Sequence, residues 1–318
     1  MSTFGIDLDA VLVGTPPAAE FMVLQPREVP LGGPRALPVR RTLPQKARSL
    51  IGAWCFLDSY GPETKPMVVP PHPHTGLSTV SWLFSGEIEH RDSTGAHPLV
   101  RPGEMNLMTA GRGIQHSEVS TDATQVLHGA QLWLALPAEK LGIDPFFEHY
   151  VPEPFEIGGA SVRVFLGELF GARSTATTFS PLVGAQLDLL AGATLDIPVQ
   201  RSFEHGVLVD TGKVRVHGND LPEAHLGYLP PGRDTIRIEA DASSRLLLIG
   251  GLPLGEQIVM WWNFIGRSHD EIVEARRRWN EEIATPALGE RRFGRIPDDP
   301  LPPLPAPEMP HVRLRPRG

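Results

Sequence analysis

Short apolar and alternating stretches, separated by turn residues, recur along most of the chain. Leu77 to Phe84 and Gln125 to Leu136 are apolar enough to form strands that are buried on both faces. Glu87 to Asp92 alternates instead, with charged residues on one face and Ile88 and His90 on the other. We therefore expect short strands, with His90 as a hydrogen-bonded histidine of the core.

Two further strands are predicted from Val39 to Leu43 and from Trp54 to Leu57, and the segment 58–62 that follows has the composition of a turn. Asp58 opens that segment. We expect it to cap its own turn; the alternative is that it accepts a hydrogen bond from a metal-binding histidine.

A helix is predicted only towards the C-terminal end. Ser268 to Glu271 forms a capping box. Apolar residues follow at helical spacing, at Ile272, Ala275, Trp279 and Ile283. The segment 297–310 then holds seven prolines and should be extended. Both segments are expected to pack on this protein itself rather than on a partner.

The two halves of the chain repeat one pattern of turns. Ser85-Gly86 and Pro102-Gly103 recur as Thr211-Gly212 and Pro231-Gly232, which indicates two versions of one small β-barrel. The predicted divisions are an N-terminal arm at 1–36, a first barrel at 37–150, a second barrel at 151–262, and a helix with a proline-rich tail at 263–318.

Composition and charge narrow the class of protein. The 318 residues include 32 glycines and 33 prolines, which suit turns better than helix interiors, so we expect an all-β fold. A net charge of −8 argues against direct binding to nucleic acid. The single cysteine, Cys55, suits a reducing, cytoplasmic setting. We expect neither a secretory signal nor a membrane span.

Two short motifs supply the candidate chemistry. His72 and His74 are two residues apart, as are His116 and Glu118, and in a strand such residues face the same way. If the two strands are neighbours, three imidazoles and one carboxylate meet at a metal site; the alternative is a set of exposed histidines at strand edges. The second half has no equivalent set. There, Phe203-Glu204-His205 stands in the region of the first pair and Arg245 at the position of His116. One metal per chain is therefore expected, with the second barrel structural; the alternative role for Glu204 and His205 is to line a vestigial pocket.

This donor set suits Fe(II), Ni(II), Cu(II), Mn(II) or Zn(II). A closed structural zinc site usually includes thiolates, and no second cysteine is present. We therefore expect open coordination positions, which serve chemistry or sensing. Glu118 would be an anionic ligand and, on partial release, a base for a bound hydroxyl. Arg112, in the glycine-flanked segment before His116, either steers an anionic or phenolic substrate or lies in a solvated loop.

These motifs form part of a longer signature that resembles the pirin proteins, in the bicupin branch of the cupin superfamily. The signature comprises His72-Pro73-His74-Thr75-Gly76, Glu89-His90-Arg91-Asp92-Ser93, Arg101-Pro102-Gly103, and Met108 to Ile114 with His116-Ser117-Glu118. Gly167-Glu168-Leu169-Phe170-Gly171 matches the second domain of that family. The resemblance covers roughly residues 37 to 285.

The resemblance implies two antiparallel jelly-roll barrels, with a metal, usually iron, held in the first barrel by His72, His74, His116 and Glu118. It implies a quercetin 2,3-dioxygenase-like enzyme that opens a flavonol-like substrate with O2 and releases carbon monoxide. The alternatives are an iron-dependent regulatory protein that binds a protein partner, and a metal cupin that is not an oxygenase. Two departures matter. Ser78 stands where the family commonly has Glu, which should alter pocket polarity but not metal binding, and the proline-rich tail lies outside the match, where it could cover the cavity mouth.

Overall fold

The computed structural model describes residues 21–31, 37–285, 287 and 289–318, with the side chains of residues 30 and 31 left aside. Most of the predicted N-terminal arm, residues 1–20 and 32–36, therefore lies outside the described residues. The strands of the first half are β1 (Met22–Leu24), β2 (Arg27–Leu31), β3 (Leu37–Leu43), β4 (Trp54–Glu63), β5 (Val68–His74), β6 (Leu77–Ser85), β7 (Ile88–Asp92), β8 (Leu99–Val100), β9 (Met105–Thr109), β10 (Ile114–Ser120), β11 (Leu127–Ala135) and β12 (Phe146–Tyr150).

The second half is built in the same way and ends in a helix. Its elements are β13 (Phe155–Ile157), β14 (Ala160–Leu169), β15 (Ala172–Arg173), β16 (Leu182–Leu189), β17 (Thr194–Pro198), β18 (Glu204–Thr211), β19 (Val214–Val216), β20 (Asn219–Leu221), β21 (Leu226–Leu229), β22 (Thr235–Ala240), β23 (Ser244–Gly251), β24 (Val259–Trp261), β25 (Phe264–Gly266) and α1 (His269–Ala284). A short 3-10 turn, Ala138–Lys140, follows β11.

Each half forms a barrel from a large and a small antiparallel sheet. In the first barrel the large sheet runs β12-β9-β6-β11-β4-β3-β2 and the small one β5-β10-β7-β8. In the second the large sheet runs β1-β21-β18-β23-β16-β14-β13, with β15 beside β14, and the small one β17-β22-β19-β20. The all-β prediction of two barrels with a short C-terminal helix is thus confirmed. The described part of the arm joins both barrels, because β1 pairs with β21 and β2 with β3.

The large sheets of the two barrels pack against each other. Trp54 and Trp82 from the first barrel and Phe165 and Leu247 from the second are fully buried in one apolar cluster. The rings of Trp82 and Phe165 lie 4.7 Å apart. The indole nitrogen of Trp82 donates a 2.7 Å hydrogen bond to Gln186 across the interface, so its one polar atom is satisfied on burial.

The turn predicted at 58–62 is wrong, because β4 continues to Glu63. Asp58 lies opposite Gln131 of β11, and pairing on both sides of the strand outweighs the local preference of these residues for a turn. Asp58 neither caps a turn nor contacts a ligand histidine. It accepts two hydrogen bonds of 2.7 Å from the guanidinium of Arg41.

Strand register also corrects the alignment of the two halves. Four residues after the turn glycines Gly86 and Gly212 stand His90 and Val216, which pair with Glu118 and Ile238. It follows that the four predicted ligands, His72, His74, His116 and Glu118, correspond to Ile197, Val199, Ile236 and Ile238. Glu204, His205 and Arg245 lie instead on β18 and β23, in the large sheet. The turn spacing misled the prediction because the loops of the two barrels differ in length.

The helix begins as predicted, with Ser268 as N-cap accepting from the backbone nitrogen of Glu271. Ile272, Ala275 and Trp279 are buried on its inner face. The proline-rich tail returns along the helix towards the first barrel. The indole of Trp279, on the helix, donates a 2.8 Å hydrogen bond to the carbonyl oxygen of Leu304 in the tail. In the described ranges no helix is long and apolar enough to cross a membrane.

Candidate metal centre

Two neighbouring strands of the small sheet bring the predicted histidines together. β5 and β10 are antiparallel, with His116 opposite His72 and Ile114 opposite His74. His72 and His74 face one side because they are two residues apart in a strand. The ring nitrogens of His72, His74 and His116 lie within 4.8 Å of one another, and all three side chains are buried. The alternative of exposed strand-edge histidines is therefore wrong.

The closest approach is between His74 and His116, whose Nε2 atoms are 3.0 Å apart. Two nitrogens bound about 2.1 Å from one ion at a right angle would be separated by roughly this distance. If both rings carry their proton on Nδ1, two lone pairs face each other here, and a shared cation relieves their repulsion. The donor set therefore fits a divalent metal ion.

Contacts of Nδ1 on the opposite side of the ring favour that tautomer for His72 and His116. His72 donates from Nδ1 to the carbonyl oxygen of Pro70 at 2.9 Å. The Nδ1 of His116 is 3.4 Å from Nδ1 of His90, and Nε2 of His90 is 3.1 Å from a carboxylate oxygen of Asp92. If Asp92 accepts from His90 and His90 accepts from His116, then Nε2 of His116 is left free to bind a metal. The predicted hydrogen-bonded role of His90 in the core is borne out, whereas the part of Asp92 was not predicted.

The pairing of β10 with β5 shifts register between His116 and Glu118. Glu118 forms a second group of the same spacing with His90 and His116, and it lines the same cavity as His72 and His74. The Ser81 hydroxyl is within hydrogen-bond distance of a Glu118 carboxylate oxygen, at 3.2 Å. Glu118 is thus placed to act on the ion or on a molecule beside it.

Burial sets the charge state of these groups. It lowers the pKa of His72 to about 4 and holds the pKa values of His74 and His116 well below the usual range for histidine. Neutral imidazoles are the form that binds metals. Burial also raises the pKa of Glu118, against the opposing effects of His90 and Ser81.

A cavity of about 350 Å³ lies against the histidines. This size is at the small end of the range for sites that bind a single small molecule. One wall is the stacked pair Phe56 and Trp133, with ring centroids 4.0 Å apart and planes at 11°. Further walls come from three parts of the chain. They are formed by Met67 and Val69, around the start of β5, by the segment Met260 to Asn263, and by Leu304 of the tail.

Arg41 adds a positive charge to this cavity. Its guanidinium lies over the ring of Phe56, 4.4 Å from the centroid, and is held there by the Asp58 carboxylate. Burial raises the pKa of Asp58 against the opposing effect of Arg41. No local pattern indicates this pair, because the two residues are brought together only by the pairing of β3 with β4.

Two other expectations concern residues that do not line the cavity. Arg112 is exposed and paired with Asp144 at 3.0 Å, which favours the solvated-loop alternative. Ser78 is buried, with its hydroxyl 2.9 Å from that of Thr109. The expected effect of Ser78 on pocket polarity is wrong, because Ser78 lies on the opposite face of β6 from Ser81, which contacts Glu118.

Comparisons with known proteins cover both barrels. The model of the Pirin family matches residues 36–134, and that of the Pirin C-terminal cupin domain matches residues 184–284. A protein of Pseudomonas aeruginosa named as a putative quercetin 2,3-dioxygenase is 41% identical over 289 residues, which are 89% of each chain. A pirin-like protein of Caulobacter vibrioides is 37% identical over 82% of this chain and 94% of its own. The crystal structure of quercetin 2,3-dioxygenase from Acinetobacter baumannii is 38% identical, with a TM-score of 0.86 over 92% of this chain and 97% of its own.

Proposed function

The chain belongs to the pirin family, and we propose that it is a metal-dependent dioxygenase of flavonol-like compounds, with Fe(II) held by His72, His74, His116 and Glu118. The observation that carries the proposal is the convergence of three buried, neutral imidazoles at the wall of a cavity large enough for a small aromatic molecule. The two similar proteins named as quercetin 2,3-dioxygenases support the substrate class.

When bound, Fe(II) would supply the redox chemistry by which O2 opens an enolic ring and carbon monoxide is released. The chain's own residues do the rest. Phe56 and Trp133 line the cavity as a stacked pair, with the Arg41 guanidinium over the Phe56 ring, and they offer apolar aromatic contact to a flat aromatic substrate. The cavity is mainly enclosed by apolar side chains, which keep water away and strengthen polar contacts inside it.

Proton transfer is assigned to Glu118. On partial release from the ion, its carboxylate, which lines the same cavity as the substrate, is suited to accept the proton of a substrate hydroxyl. Ser81 can then hold the protonated carboxyl in place through their 3.2 Å contact. Arg41, fixed by Asp58, would offset the negative charge left on the substrate oxygen.

Oxygen uptake tests the proposal. The protein is loaded anaerobically with Fe(II), quercetin is added, and O2 consumption and carbon monoxide release are measured beside His116→Ala and Glu118→Gln variants. His97→Ala is the matched control, because His97 is an exposed histidine of the same barrel.

We expect uptake of one O2 per quercetin, its loss in His116→Ala, and its strong reduction in Glu118→Gln. Equal uptake in His116→Ala and the wild type would refute the proposal. No uptake by protein that holds one iron per chain would point instead to the regulatory alternative, with partner capture by reduced and oxidised protein as the next measurement.

A further inference from the structure

The second barrel has a cavity of its own, of about 870 Å³. It lies at the end of the barrel that corresponds to the metal cavity of the first. By strand register, two of its wall residues, Val183 and Val199, occupy the positions of Phe56 and His74. The interior below it is filled by Ile197, Ile236 and their aliphatic neighbours, so no donor set for a metal is present among the described residues of this barrel's interior.

One polar group faces this cavity from an almost fully buried position. His205 lines it, is 1% exposed, and continues the row of inward residues Val207 and Val209 along β18. Its ring lies against Gly250, where a Cβ atom would come within 2.7 Å of its Cδ2. The imidazole therefore occupies space that a side chain on β23 would otherwise need.

The Nε2 atom of the His205 imidazole lacks a hydrogen-bond partner among the described residues. This nitrogen is buried and makes no hydrogen bond to any residue in the described ranges. A buried polar nitrogen without a partner costs about 1 to 3 kcal/mol. Burial lowers the pKa of His205 to about 4, so the ring is neutral near pH 7. The unmet hydrogen bond is thus that of a neutral group.

The remaining walls indicate the kind of molecule that would meet it. Phe203 stands beside His205, with ring centroids 6.1 Å apart, and Phe170 and Leu182 add apolar surface. The charged residues at the rim, Glu168 and Arg173, are paired with each other at 3.0 Å. Neither sign of charge is left over to recruit an ionic ligand.

We propose that this cavity binds a small, uncharged aromatic molecule with a hydroxyl group, which packs against Phe203, Phe170 and Leu182 and forms a hydrogen bond through its hydroxyl to His205. The site is separate from the metal centre and needs no metal. The second barrel has aliphatic residues at the positions of the candidate metal ligands of the first barrel. This site would give it a binding role of its own.

Phenol is the probe, with toluene as the matched compound that has the same shape but no hydroxyl, and benzoate as the charged one. Full-length protein with isotope-labelled histidines is titrated while the ring resonances of His205 are followed by NMR, assigned with His205→Gln. The titration is repeated in His72→Ala/His116→Ala, so that binding in the first barrel cannot produce the signal.

We expect saturable shifts of the His205 resonances with phenol, in both backgrounds, and an affinity about tenfold higher than for toluene, because one hydrogen bond to a buried group is worth roughly that factor. Benzoate should bind more weakly than phenol. Phe203→Ala, which leaves the imidazole in place, should weaken phenol and toluene alike. Equal affinity for phenol and toluene in the wild type, or no shift at His205, would overturn the proposal without any variant.

Discussion

The backbone nitrogen of Leu304 donates a 2.8 Å hydrogen bond to the carbonyl oxygen of Pro71, the residue that precedes His72. The same stretch of tail is tied down at Asp299, which accepts from the hydroxyl of Ser117 at 2.5 Å. Ser117 lies between His116 and Glu118. The tail is therefore fastened to both strands that carry the candidate ligands, and Leu304 forms part of the cavity wall. The expectation that the tail packs on its own protein is correct.

Leu304→Ala should open this wall. We expect a chelator such as EDTA to remove the bound metal several-fold faster than from the wild type, because solvent gains access past the missing side chain. Leu301→Ala is the control, since Leu301 belongs to the same tail but does not line the cavity. The metal left on the protein is followed over time by elemental analysis. Equal release from both variants would mean that Leu304 does not limit access.

His90→Phe should weaken metal binding although His90 is not among the proposed ligands. The change removes the hydrogen-bond partner of Nδ1 on His116, and loss of such a partner typically costs about 10 to 100-fold in metal affinity. His97→Phe, at an exposed histidine nearby, should leave affinity unchanged. Competition with a chromogenic chelator measures both. An unaltered affinity in His90→Phe would show that His116 is oriented by other contacts.

The local sequence pattern predicts that the three histidines lie together, because each signal involved is short in range. The two-residue spacing fixes the face on which His72 and His74 lie, and one strand pairing adds His116. The residues that complete the cavity carry no such signal. Trp261 and Leu304 reach it through packing of segments far along the chain. The sequence suggests only that the tail could cover the cavity mouth, without indicating Leu304, and nothing near Trp261 indicates its contact.

The incorrect alignment of the second barrel with the first has a related cause. Turn glycines are visible in sequence, but equivalence between barrels depends on which residues pair across strands. The turn spacing aligns His205 with the region of the first histidine motif, whereas its pairing with Gly250 shows that it corresponds to Thr79. Ile236, the true counterpart of His116, cannot be recognised from local pattern, because an aliphatic residue in a strand has no distinguishing feature.

Stability should fall in mild acid through His205. Its pKa is about 4 in the folded protein and about 6.5 when unfolded, so between these values only the unfolded chain takes up the proton. The free energy of unfolding therefore decreases as the pH falls from 6.5 towards 4, by about 2 kcal/mol between pH 7 and 5. His205→Gln should lose this part of the pH dependence. Urea unfolding at the two pH values, in wild type and variant, checks it, and identical pH dependence would contradict it.

Glu282 should be a sensitive position of the helix, although it is charged. It is 1% exposed and accepts hydrogen bonds from the side chain of Arg278 and from the backbone nitrogens of Arg292 and Phe293. Glu282→Ala leaves the backbone nitrogens of Arg292 and Phe293 without their acceptor, while Arg278 keeps its contacts with Glu281 and Glu290. Each buried donor left without a partner costs about 1 to 3 kcal/mol. Glu282→Gln, which keeps one acceptor oxygen, should cost less.

Glu274→Ala is the control on the same helix, because Glu274 pairs with Arg277 in solvent and such pairs contribute little. Thermal unfolding ranks the three variants, and limited proteolysis reports whether the chain near Phe293 has loosened. Because Phe293 packs against Trp279, whose indole holds Leu304, loosening there should extend to the cavity wall and also speed metal release. A melting temperature for Glu282→Ala equal to that of Glu274→Ala would show that the buried carboxylate is not what fixes the tail.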